Sequence, residues 1–91
     1  MIITNEIIEK IKSSAKEYGI KKLILFGSAL ENPTDAHDID LACDSEGMKI
    51  FALAGKLEEE LNICIDIVPL TAQNPFSEII LRKGKVLYES N

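Results

Sequence analysis

Three short apolar runs, joined by connections of two different kinds, limit what this chain can fold into more than any other feature. Lys22-Leu23-Ile24-Leu25-Phe26, the stretch from Asp38 to Cys43, and Ile63-Cys64-Ile65-Asp66-Ile67-Val68 have the length and the branched apolar content of strands. Only a short stretch joins the first two, and Asn32-Pro33-Thr34-Asp35 within it is turn chemistry. The second and third are joined by a helical repeat that follows Gly47. Ile50, Leu53, Ala54, Leu57 and Leu61 share one face of it, and Asn62 can close it. Short connections suit antiparallel neighbours, whereas parallel neighbours need a crossover. The expectation is therefore an α+β fold of two layers: a mixed sheet of about four strands with helices packed on it, not a doubly wound parallel sheet.

The ends of the chain complete the pattern. Thr4 or Asn5 can cap a first helix, with Glu6 favourable in its first turn. Ile7, Ile8, Ile11, Ala15 and Tyr18 recur at helical spacing before Gly19, a natural stop. Asn74-Pro75 opens a short helix with Phe76, Ile79 and Ile80 on its apolar side, and Gly84 ends it. Lys85 to Glu89 reads as a last, edge strand. No repeat, low-complexity tract or linker interrupts the 91 residues, so one domain is expected over 1–91.

Composition narrows the class. With 46% apolar and 27% charged residues, the chain reads as globular rather than disordered. No apolar run reaches the roughly 18 residues of a membrane span, and the first residues lack the regions of a signal peptide, so the cytoplasm is the expected compartment. Cys43 and Cys64 sit in apolar runs without metal-ligand spacing and read as reduced core thiols. A net charge of −5 argues against a strong grip on nucleic acid. The charge is uneven: residues 31–66 hold ten acids against Lys49 and Lys56, a local −8 that leaves +3 for the flanks. An acidic middle is a place for cations, although Glu58-Glu59-Glu60 within it reads as a solvated helix face.

Asp38-Ile39-Asp40 is the first candidate for chemistry. Residues i and i+2 of a strand point to one face, so both carboxylates project together while Ile39, Leu41 and Cys43 face the core. Two neighbouring carboxylates repel, and a hard divalent cation between them relieves the repulsion. Asp66 stands alone in a run of Ile, Cys and Val. Either it has a metal, a cation or hydrogen-bond donors as its partner, or its strand is an edge and it faces water. Should the second and third strands be neighbours, three carboxylates meet. Gly27-Ser28, just after the first strand, allows close backbone approach and offers N–H groups and a hydroxyl to phosphate. No GxGxxG and no GxxxxGK[ST] occurs, which excludes the two common phosphate-cradling loops.

Leu25-Phe26-Gly27-Ser28-Ala29, Asp38-Ile39-Asp40-Leu41 and Ile65-Asp66-Ile67-Val68 together resemble the nucleotidyltransferase superfamily that includes DNA polymerase β, and most closely its minimal nucleotidyltransferases. The resemblance runs from about Ile20 to Tyr88. It implies that Asp38, Asp40 and Asp66 hold Mg²⁺ or Mn²⁺ and carry catalysis, and that Gly27 and Ser28 bind the triphosphate of ATP. It further implies transfer of AMP to a partner protein, a small helical HEPN-type toxin, with this chain as the antitoxin. Homo-oligomerisation is left open. Where many relatives place an arginine and a further glycine, this chain has Ala29-Leu30-Glu31-Asn32-Pro33, and no cation lies between Lys22 and Lys49. The spacing from Ser28 to Asp38 is one residue short of the family's pattern, and His37 stands where serine is common. The alternatives are a non-catalytic module that neutralises its partner by contact, and a metal-binding regulatory domain without nucleotide. His37 reads as a turn residue. Arg82-Lys83-Gly84-Lys85 reads as cations completing a helix C-terminus.

Overall fold

The computed structural model describes residues 4–32, 38–44, 47–70 and 75–90. Helix α1 (Asn5–Glu17) starts where the Thr4 hydroxyl accepts the Ile7 N–H at 3.3 Å, satisfying one of the orphan donors of its first turn. Beyond Tyr18 the chain reverses at Gly19, whose φ of 69° is cheap only for glycine. Then follow β1 (Lys22–Phe26), α2 (Ser28–Glu31), β2 (Asp38–Cys43), α3 (Gly47–Leu61), β3 (Cys64–Pro69), α4 (Pro75–Lys83) and β4 (Lys85–Glu89). The stretch after β1, expected as loop or turn, opens with a single helical turn. Pro33, Thr34, Asp35, His37 and Asn74 lie outside the described residues. Pro69 closes β3 from within rather than stopping it. At the last position of an edge strand a missing N–H costs no ladder bond.

The sheet has the order β3-β2-β1-β4. β1 pairs antiparallel with both β2 and β4, whereas β2 and β3 run parallel, with α3 as the crossover between them. The sheet is thus mixed, as the unequal connections require. Asn62, at φ 54°, makes the left-handed turn out of α3, and its N–H reaches the Glu58 carbonyl at 2.9 Å. No helix among the described residues is long and apolar enough to cross a membrane.

One face of the sheet is sealed. Leu23, Leu25, Ile39, Leu41, Cys43, Ile65 and Leu87 pack there against Ile11, Ala15, Leu53 and Leu57 of α1 and α3. Ion pairs bridge the two helices at the rim, Lys56 to Glu17 at 2.5 Å and Lys10 to Glu60 at 3.3 Å; exposed pairs of this kind add little stability. Glu58 is exposed, as expected of a solvated face, yet its Oε1 accepts the Ile65 N–H at 3.1 Å and ties α3 to the edge strand. Cys43 fits the expectation of a core thiol, and burial pushes it up to about 11. Cys64 does not fit it. It is exposed, because its strand is an edge and its side chain alternates away from the core.

The other face has a smaller cluster, Ile24, Ala42 and Ile80. Helix α4 is seated there through Gly84, where a Cβ would run into the Ile24 side chain and the Ile80 carbonyl. Only Ser77 and Ile80 of α4 are buried. Phe76 and Ile79, read from the sequence as part of the apolar side of this helix, are 51% and 48% exposed, because α4 meets the sheet along a narrow line rather than across that whole side.

Candidate active site

The parallel register of β2 and β3 builds the site. Asp40 lies directly beside Asp66, and Asp38 beside Cys64, on strands about 4.8 Å apart. Ile39, Leu41 and Ile65 alternate into the sealed core, so the aspartates occupy the opposite face, together with Ala42 and Val68. All three predicted carboxylates therefore share one patch. Of the two environments open to Asp66, the structure has the edge strand: Asp66 is exposed, and its partner across the ladder is Asp40.

β1 supplies the other side. Phe26 stands opposite Asp40 in the antiparallel ladder, and Gly27 follows at φ 75°. A Cβ on Gly27 would collide with Asp40 Oδ2 and sit 3.2 Å from its Cγ. Glycine is thus required twice here, by the left-handed backbone and by the close approach. The Gly27 carbonyl accepts the N–H groups of Leu30 and Glu31, each at 3.1 Å, so Gly27 starts α2 and Ser28 is its first residue. The glycine-serine turn and the aspartate patch touch at Gly27 and Asp40.

The electrostatics follow from this crowding. Partial burial raises the Asp40 carboxyl above the usual carboxylate range, and the charges of Asp66 and then Asp38 raise it further. The Cys64 thiol is pushed up chiefly by the Asp38 charge, with which it also shares a hydrogen bond. Three oxygen donors that repel one another are a chemical fit for a hard divalent cation, whose charge would favour the ionised form of Asp40. Among the described residues no three acidic, histidine or cysteine side chains already stand as a metal cage. Closure around a cation therefore needs side-chain rotation on β2 and β3.

Beside this patch are residues to which the sequence reading gave no part in the site. Phe26 and Gly27 also line a small cavity between α2 and α4, with Leu30, Phe76, Ile79 and Lys83. Alternation marks Phe26 as facing the aspartate side, whereas the amphipathic pattern of α4 gave Phe76 and Ile79 only an apolar side. Lys83, read as a helix-terminal cation, is in the last turn of α4 as expected and faces this cavity as well.

Comparison with known proteins places this geometry. The family model described as polymerase beta, nucleotidyltransferase, matches residues 9–91. No curated protein matches the chain in sequence. Among solved structures, a toxin–antitoxin with AMP-PNP is similar, with a TM-score of 0.72 and 23% identity over 92% of this chain and 74% of that one. The MntA–HepT toxin–antitoxin gives a TM-score of 0.70 at 21% identity, over 96% and 74%. A tri-AMPylated Shewanella oneidensis HEPN toxin in complex with its MNT antitoxin gives 0.71 at 21%, over 97% and 74%. At these identities the likeness is one of fold.

Proposed function

The chain belongs to the polymerase beta nucleotidyltransferase family, and from that premise we propose that it transfers AMP from ATP to a hydroxyl of a partner protein. What supports this most is the register that sets Asp40 beside Asp66, with Asp38 one step along the same face and Gly27 in contact with Asp40. Mg²⁺ or Mn²⁺ held by Asp38, Asp40 and Asp66 would neutralise charge on the leaving and attacking oxygens of an in-line displacement. Gly27 and Ser28 begin a helical turn, and their backbone would face the triphosphate. Asp66, exposed on the edge strand, would take the proton of the attacking hydroxyl. The hydroxyl oxygen bonds to the α-phosphorus as the bond to pyrophosphate breaks. The acceptor fits a tyrosine of a HEPN-type helical toxin, with this chain acting in the cytoplasm as antitoxin; the similar structures carry those names.

One observation favours a second reading, a module that neutralises its partner by contact alone. No lysine or arginine occurs between Lys22 and Lys49, so the turn beside the aspartates has no cation of its own for a triphosphate. Incubation of the chain and its partner with labelled ATP and Mg²⁺ separates the two. Transfer predicts a partner heavier by an AMP group, and Asp66→Asn abolishes the label while partly sparing ATP binding. A partner left unlabelled by the wild type, or labelled as fast by Asp66→Asn, leaves the non-catalytic module.

A further inference from the structure

We propose that the cavity between α2 and α4 is the subsite for the nucleobase, a purine ring held beside the aspartate patch. The inference rests on the nucleotide reading above and assigns residues to a part of the ligand that reading leaves without any. The cavity measures about 110 Å³. That is well below the ~300 Å³ at which pockets enclose a whole small ligand, so it suits one flat ring system and not a complete nucleotide.

Its walls suit a ring. Phe26 from β1 and Phe76 from α4 meet edge to face, centroids 6.0 Å apart and planes at 81°, and Leu30 and Ile79 complete an apolar slot. Glu31 and Lys83 add one acceptor and one donor to the lining, the small polar complement that orients a bound heterocycle. The exposure of Phe76 and Ile79, unexpected for the apolar side of a helix, has a use at this place.

Position is the stronger argument. Gly27 lines the cavity and its Cα abuts Asp40, so the cavity and the carboxylates are the two sides of one glycine. A triphosphate drawn along the Gly27-Ser28 backbone toward the aspartates has its nucleoside end free to turn into this slot. The larger cavities along α1 and α3 lie apart from the aspartates. One is lined by Glu6, Glu9, Lys10, Glu17, Lys56 and Glu60, and it lies with those helices on the opposite side of the sheet from the aspartates.

Calorimetric titration with Mn²⁺-ATP and with Mn²⁺-tripolyphosphate tests the assignment, because tripolyphosphate has the phosphates without the base. The variants are Ile79→Trp, which fills the slot, and Phe76→Ala, which opens it; both sites are about half exposed, so folding is spared. Phe51→Ala, at a 79% exposed site on the outer side of α3, is the control. The expected result is ATP binding weakened about tenfold in both slot variants, the scale of one lost base–aromatic contact, with tripolyphosphate affinity and the control unchanged. Wild type binding both ligands equally well, or slot variants that weaken both alike, overturns the base subsite and leaves the nucleotide reading standing. Slot variants that bind ATP normally but slow transfer hand the cavity to the acceptor and equally overturn it. A wild type that binds neither ligand sinks the nucleotide reading itself, and this inference with it.

Discussion

The two faces of the sheet are made by the same strands and have opposite fates. On one, Ile39, Leu41, Cys43 and Ile65 vanish under α1 and α3. On the other, one residue out of step, Asp38, Asp40, Cys64 and Asp66 stand in or near solvent, and α4 covers only the part around Ile24 and Ala42. The period of two along a strand thus separates the packed side chains from the carboxylates without separating them in sequence. It also explains how like charges can be tolerated on adjacent strands: the apolar partners of each aspartate, one position away, hold the strands together.

Substitutions on the two faces should therefore differ in kind. The largest effect belongs to the sealed face. Leu57→Ala removes a fully buried side chain between α3 and the sheet, and should cost about 2–5 kcal/mol in urea unfolding. A loss below about 1 kcal/mol would mean that this face is not the packed side.

Gly27→Ala comes next and works at the border of the open face. It puts a Cβ into a left-handed residue and against Asp40 Oδ2, for a cost of about 1–3 kcal/mol. It should also lower Mn²⁺ affinity by displacing Asp40, an effect that Leu57→Ala, measured on its folded fraction, should not share. Unchanged Mn²⁺ binding in Gly27→Ala would detach the glycine turn from the carboxylate patch.

The smallest effect has the opposite sign. Asp40 is raised above its unfolded value by burial and by Asp66 and Asp38, so the folded state holds its proton more tightly than the unfolded state. Its contribution to stability is fully present below the unfolded pKa of 3.8 and is lost as pH rises through the raised folded value. At neutral pH without metal, Asp40→Asn should then be slightly more stable than wild type, by ~0.5 kcal/mol, with the gap closing below that pH and on addition of Mn²⁺. A variant less stable than wild type at neutral pH in metal-free buffer would show that the carboxylates do not burden this face.

Much of this is legible in the amino-acid sequence. The strands of β1, β2 and β4, the helix α3 with its buried stripe, and Gly84 as the end of α4 follow from local patterns of apolar spacing and backbone freedom. The paired projection of Asp38 and Asp40 follows from alternation alone. Those are short-range properties, set by residues within a few positions of each other. The sequence also left Asp66 with two environments, and no local rule could choose between them.

That choice was made by tertiary structure. Whether β3 is an edge, and whether it lies beside β2, depends on where the α3 crossover lays it down, a matter of packing between residues far apart in the chain. The same packing exposed Cys64, which sits in an apolar run that by itself predicts burial. It also left Phe76 and Ile79 uncovered, because an amphipathic stripe states that a helix has an apolar side but not how much of that side its neighbours can reach. The contact between Gly27 and Asp40 needed β1 and β2 brought into register. Sequence alone determined which side chains could do chemistry; the parallel pairing of two strands decided that they would stand together.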